Sequence, residues 1–399
     1  MVVMSEGYDP PERFWDAGDR AHELAAERAG SSDFGGDDYL EGLRIVLLSM
    51  DRDPRFTPRG RRIAWGSVIN TLAARANAIR SMRDNPGFDD QPLLRPVVIT
   101  GIPRTGTTAL HKLMAVDPQF QGLETWLNAA PQPRPPRATW ESNPLFREVA
   151  DQLAARYSAA PGAAVAHEMA VAEVDECLFV LRQSFVSNLW NSGWHAPSYD
   201  AWWQTQSERE SYRHYVRVVQ LVGCREPGKR WLLKNPGHIA NLDLVFAVFP
   251  DAIVIHTHRD PAKAVPSLCS LLMKSHPLMD EGPADVRARL LLARETEKWA
   301  SAVEDARRVA RTHGAQMFDV IQADLHREPM AVVRRIYAFA GLDLTPEVAA
   351  AMERRIADDP ERQHGVHRYD IADYGMTEDA IRARFGDYVQ RFGLLEKKP

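Results

Sequence analysis

The chain has 399 residues, 45% of them hydrophobic and 26% charged, an ordinary balance for a globular protein with room for one large domain or two smaller ones. Its formal charge of −5, from 49 basic and 54 acidic residues, gives no bulk attraction to nucleic acid or to an anionic membrane, so any anion site has to be local. Three widely spaced cysteines, Cys177, Cys224 and Cys269, form no C-x-x-C pair, which argues against a disulfide framework or a zinc site and for the reducing cytoplasm; there is no secretory signal pattern and no apolar run of transmembrane length.

The first 90 residues read as helical. RFWDAGDRAHELAAERAG and DDYLEGLRIVLLSMDRD are amphipathic, and RRIAWGSVINTLAARANAIRSMRDNP predicts a third helix that stops near Asn85-Pro86. This part carries no glycine fingerprint and no metal-ligand cluster. The expected organisation is a helical extension, 1–90, packing on a main domain, 91–399, as a cap or as an oligomer contact such as a homodimer's.

At Leu93 the chain changes character. LLRPVVIT predicts a buried strand, GIPRTG a loop, and TTALHKLMAVDP a helix ending at Asp117-Pro118. RWLLKN (230–235) and AIVIHTH (252–258) predict two more strands, with HIANLDLVFAVFP as the helix between them, and AQMFDVIQADL (315–325) predicts a fourth. A strand-helix-strand unit makes its strands parallel. The fold class that follows is α/β, a central parallel sheet with helices on both faces, whose ligands bind beyond the carboxyl ends of the strands.

GIPRTGTT has the glycine spacing of a phosphate-binding P-loop, G-x-x-x-x-G-K-[ST], in the required strand-loop-helix context, but Thr107 stands where the lysine belongs and the positive charge comes earlier, at Arg104. Gly101 and Gly106 let the backbone wrap an anion, the following helix adds its positive end, and Thr107 and Thr108 add hydroxyls. Without the lysine that reaches β- and γ-phosphates, the loop suits a single phosphate; an ordinary strand-to-helix turn shares its glycine spacing. A second anion site is predicted in HTHRDPAKAVPS, where Asp260-Pro261 starts a helix and Arg259 and Ser267 reach a common face. Two anion sites at strand ends of one sheet suggest a nucleotide with phosphates at both ends of its ribose.

GIPRTGTT, LLKNPGH and HRDPAKAVPS, in this order, resemble the sulfotransferases that use 3′-phosphoadenosine 5′-phosphosulfate (PAPS), and bacterial, actinobacterial-type members most closely; the resemblance runs from about Leu93 to the C-terminus. It implies a P-loop-like main domain, PAPS as donor with 3′-phosphoadenosine 5′-phosphate (PAP) as product, no metal, and in-line transfer to a hydroxyl of a small molecule. It places Arg104, Thr105, Gly106, Thr107 and Thr108 at the 5′ end of the donor. The family's arginine and serine eight residues apart map to Arg259 and Ser267 (267 − 259 = 8), and its closing C-terminal loop maps loosely to Gly365, His367 and Arg368. Lys234 and Arg104 are the expected charge stabilisers. His238 is the first candidate for the base, with Glu124, Glu176 and His167 as rivals.

Two departures stand out. Animal cytosolic members have lysine in the 5′ loop, whereas Arg104 cannot give up a proton. They also have Lys-x-His where this chain reads Lys234-Asn235-Pro236-Gly237-His238. The aromatic segment holding Trp190 and Trp194, with Trp126 next to Glu124, suits a lipid-like, steroid-like or phenolic acceptor, although core packing would use the same residues. The alternatives are a P-loop small-molecule kinase and a non-catalytic nucleotide-binding module.

Overall fold

The computed structural model describes residues 8–90, 92–159, 170–358 and 375–395. They fall into two compact units, one from residues 1–92, 123–228 and 274–282, the other from 93–122, 229–273 and 283–399.

The first unit is helical. Helix α1 is Gly18–Ala29, α2 is Leu40–Arg52 and α3 is Pro58–Asp84. The start of α3 is fixed by its sequence: Thr57 caps it, accepting from the Gly60 amide at 2.8 Å, and Pro58 occupies the first helical position. Ile63, Ala64, Trp65, Val68, Ile69 and Leu72 of α3 are all buried, so the helix is enclosed rather than amphipathic. Its core neighbours include Phe14, Val46, Leu47, Phe185, Trp190, Trp194 and Tyr199. Gly60 lies so close to the segment ending at Met279 that a Cβ would stand 2.2 Å from the Met279 carbonyl oxygen.

The second unit holds a five-stranded parallel sheet of order β2-β3-β1-β4-β5. The strands are β1 Val97–Gly101, β2 Phe120–Gln121, β3 Arg230–Lys234, β4 Ile253–His258 and β5 Met317–Ile321. Four meet the sequence expectations, except that the predicted strand 315–325 ends at Ile321, where a helix, Gln322–Arg327, begins. The fifth, β2, is two residues long and leaves no periodic signal. Every residue of β1 and β4 is buried, as in a sheet covered on both faces. On one face Val97, Ile99, Ile253 and Ile255 pack with Leu110, Leu113, Val333 and Ile336. On the other, His256 faces Val303 and Ala306. The link from β3 to β4 is a 3-10 turn, Pro236–Asn241, followed by a helix, Leu242–Val248; Asn235 caps the turn by accepting from the Gly237 amide at 3.0 Å, so the predicted helix starts late. Among the described residues no helix is long and apolar enough to cross a membrane.

Helix α4, Thr107–Met114, follows β1, and α5, Pro261–Met273, follows β4. The latter packs on α6, Ala284–His313. Buried in α6, Glu295 accepts from Arg294 at 2.8 Å, Lys298 at 2.9 Å and the Trp299 indole at 2.8 Å. Burial alone would raise its pKa, but Lys298 and Arg294 outweigh that and bring it to about 2. A folded-state value below the ordinary one means the stabilisation is present above about pH 4.5 and is lost as pH falls toward about 2. Glu295→Gln should therefore lower the melting temperature at pH 7, by an amount set by a loss of roughly 3 kcal/mol, and the gap to wild type should close in melts taken between pH 4.5 and 2. A gap that stays constant would contradict this.

The end of β1 yields a second expectation. Gly101 has φ 151° and stands opposite Thr257 of β4; a Cβ there would meet the Thr257 carbonyl oxygen at 2.4 Å and its hydroxyl at 2.5 Å. Gly101→Ala has to spread β1 from β4 or distort the loop, and should cost roughly 2–3 kcal/mol in denaturant unfolding; an unchanged midpoint would show that the strands yield.

Candidate functional site

In this sheet the carboxyl ends of three neighbouring strands, β3, β1 and β4, carry the segments that the sequence singled out. After β1 the loop turns through two left-handed residues, Arg104 at φ 69° and Gly106 at φ 89°, and Gly106 caps α4. Such alternation points successive backbone N–H groups to one side, toward an anion. Arg104 holds this conformation without being glycine, a local strain. Thr105 turns inward: its hydroxyl is 2.7 Å from the Ile102 carbonyl and 2.6 Å from the Thr257 hydroxyl, tying the loop to β4. Thr107 is buried and Thr108 half-buried.

After β4, Asp260 caps α5, accepting from the Ala262 amide at 3.0 Å, and is held by Arg382 at 2.7 Å. The hydrogen bond to Asp260 raises the Arg382 pKa further. Pro266 sits inside α5 and Ser267 is half-buried one position on. Arg104 Nε donates to Ser267 Oγ at 3.3 Å, and Arg259 Nη1 donates to the Arg104 carbonyl at 3.0 Å. The two motifs that the sequence treats as separate anion sites thus meet, with Arg104 bridging them.

After β3, Lys234 is 1% exposed and its Nζ donates to Thr108 Oγ1 at 3.1 Å. The Thr100 hydroxyl donates to the Asn235 carbonyl at 3.0 Å, fixing the next residue against β1. His238 is buried in the 3-10 turn, three residues beyond Asn235.

The remaining candidates belong to the first unit. Glu124 is 8% exposed and accepts from Arg134 Nε and Nη2, each at 3.2 Å; Arg134 also pairs with Glu226 at 2.9 Å. Burial raises the Glu124 pKa, with Arg134 opposing. Trp126 is fully buried, edge-to-face with Trp140 and Phe146. Glu176 is half-buried, its amide bonded to Asp175 Oδ1 at 2.7 Å. Trp190 and Trp194 are 3% and 2% exposed; Trp190 stacks on Phe185 at 4.9 Å, and both rings sit in the core around α3. His167, Gly365, His367 and Arg368 lie outside the described residues.

Sequence reading missed several participants. Arg134 and Arg382 are distant cations in ordinary charged segments, with no local signature. Thr257 was hidden in an apolar strand. His256, His258 and Asp319 bring three ligand-type atoms within 4.8 Å of one another, a grouping that only the β4–β5 pairing creates; His258 is bonded to Asp319 at 2.9 Å and to Tyr388 at 3.0 Å.

Comparisons with known proteins bear on the fold and the family. Sulfotransferase STF1 from Mycobacterium tuberculosis H37Rv superposes with a TM-score of 0.83 at 35% identity, covering 94% of this chain and 100% of that one. Sulfotransferase STF9 from Mycobacterium avium gives 0.87 at 28% identity, covering 96% and 98%. The omega-hydroxy-beta-dihydromenaquinone-9 sulfotransferase Stf3 of Mycobacterium bovis is 23% identical over 318 residues, 76% of each chain. The model of the sulfotransferase family matches residues 96–346, which take in all three strand-end segments, and the chain belongs to that family.

Proposed function

We propose that this sulfotransferase takes its sulfuryl group from PAPS and delivers it to the hydroxyl of a small, apolar acceptor. The observation that carries the reading is the convergence of Arg104, Arg259 and Ser267, which places two guanidinium groups and a hydroxyl beside a loop of inward-turned amides. That donor set fits a nucleotide with a phosphate at each end of its ribose better than a chain of phosphates. PAPS, when bound, supplies the activated sulfuryl group. Arg259 and Ser267 hold the 3′-phosphate, and the amides and hydroxyls of Gly106, Thr107 and Thr108 hold the 5′ end, helped by the α4 N-terminus. Thr105 keeps the loop against β4.

Lys234 answers the difficulty that Arg104 poses. Arginine cannot release a proton, while an ammonium can both neutralise the leaving oxygen and protonate it. Lys234 Nζ, on the Thr108 hydroxyl, stands at the helix end of the loop, where that charge develops. For the base we assign Glu124 ahead of His238. A carboxylate whose pKa burial has raised is a better proton acceptor than an ordinary one, and Arg134 keeps it oriented. The acceptor class draws support from the relative named for a hydroxylated menaquinone derivative; Trp126, Trp190 and Trp194 are packed against other core aromatics and do not contribute to it. Gly365, His367 and Arg368 are proposed to touch the 3′-phosphate, on family analogy alone.

Calorimetry without magnesium should show PAP binding at least tenfold more tightly than AMP, with the preference removed in Arg259→Ala; equal binding of the two in wild type would sink the 3′-phosphate assignment. Lys234→Ala should lower kcat about 100-fold while PAP affinity changes little. The opposite pattern would make Lys234 a binding residue. Glu124→Gln should cost kcat about 100-fold and remove the fall of rate at low pH, whereas His238→Asn should leave that limb in place; loss of the limb in His238→Asn alone would return the base role to the histidine.

A further inference from the structure

Arg182 is a charged group in an unusual position. It ends the short helix Leu178–Leu181, is 7% exposed, and is held by its backbone, which receives the Phe185 amide at 2.9 Å and the Trp190 indole at 3.3 Å. Its guanidinium makes no hydrogen bond and no ion pair with any described residue, and Nη1 is buried without a partner. The nearest compensation is weak, from the faces of Phe179 at 5.6 Å and Trp190 at 5.8 Å. Burial alone brings its pKa down to about 10, with no nearby acid acting on it. It remains a cation at neutral pH, and an uncompensated buried cation costs several kcal/mol.

This guanidinium lines a cavity of about 100 Å³ within the first unit, with Ala73, Asn128, Leu145, Val149 and Phe179 among its walls. The other charged groups on the lining are engaged. Arg28 pairs with Glu148, Arg80 donates to the Ala29 carbonyl at 2.6 Å and to Asn77 at 2.7 Å, and Asp175 receives the Glu176 amide at 2.7 Å. Asn128 offers a second orphan: its amide nitrogen donates to the Glu176 carbonyl at 3.3 Å, which leaves Oδ1 as a buried acceptor with no donor.

We infer that this cavity binds a monoanionic carboxylate with a short hydrocarbon tail, the carboxylate pairing with Arg182 and the tail lying on the alanine, leucine and valine walls. The charged groups of the lining, Arg28, Arg80 and Arg182 against Glu148 and Asp175, leave one net positive charge, which favours a carboxylate over a phosphate dianion. A planar carboxylate also takes two parallel bonds from a guanidinium. The free volume, about that of three waters, fits a head group and the first carbons of a chain. A ligand hydroxyl near the head would satisfy Asn128 Oδ1. The inference rests on this cavity alone and is separate from the donor and base assignments.

The test is calorimetry of the full-length protein with hexanoate, hexanol and hexylammonium. Hexanoate should bind at least tenfold more tightly than either of the others, and Arg182→Met should abolish that preference. Without ligand, Arg182→Met should melt no lower than wild type, because it exchanges an uncompensated charge for an apolar side chain. Arg182→Lys keeps the charge without the fork, and should bind hexanoate more weakly than wild type but still prefer it to hexanol; it provides the reading if the methionine variant fails to fold. Equal binding of hexanoate and hexanol, no binding of hexanoate at 10 mM, or undiminished hexanoate binding by Arg182→Met would each overturn the assignment.

Discussion

The close approach of β4 to β1 governs the loop that follows β1. Only a glycine fits at 101, because the space a Cβ would take is filled by the carbonyl and hydroxyl of Thr257. That contact lets the Thr105 hydroxyl reach Thr257, which pulls the loop down onto the sheet. With Thr105 anchored, Arg104 is pushed into a left-handed conformation and its side chain runs toward α5, where it meets Ser267. A steric fact at one residue thus sets which way the only charged side chain of the loop points. The glycines of this loop differ in what they do: Gly101 permits packing, Gly106 permits a turn.

Most of the sheet was legible in the sequence, because buried parallel strands are short β-branched runs followed by loop signals, and β1, β3, β4 and β5 all fit that description. The strand β2 was not legible, since two residues at an edge have no period to detect. The stretch after Lys234 predicted a helix from the spacing of Ile239, Leu242, Val245 and Phe246, but Asn235 and Pro236 impose a 3-10 turn first. The cap at Asp260 was readable, and it accepts from the Ala262 amide where Asp260-Pro261 predicted a helix start.

The candidate site divides along the same line. Its residue types were readable from three motifs, and family membership excludes the kinase and non-catalytic readings that those motifs left open. Its connections were not. Arg104 and Ser267 are 163 positions apart, and Lys234 and Thr108 are 126 apart; only the strand order brings them together. Nor can a sequence tell a compensated buried charge from an uncompensated one. Glu295, Glu124 and Arg182 look alike in the chain, yet the first has two cations and an indole, the second has Arg134, and the third has only aromatic faces.

The seam at Gly60 also bears on how the chain acquires its structure. The Thr57 hydroxyl donates to the Leu278 carbonyl, 221 positions away, and Gly60 packs on the neighbouring Met279. On a ribosome adding about 5–20 residues per second, roughly 10–45 seconds separate the emergence of the two halves of that seam. The apolar flank of α3 is therefore made long before its cover exists. Closing so long a loop is entropically slow, and this unit cannot complete its seam until its last segment, residues 274–282, has emerged.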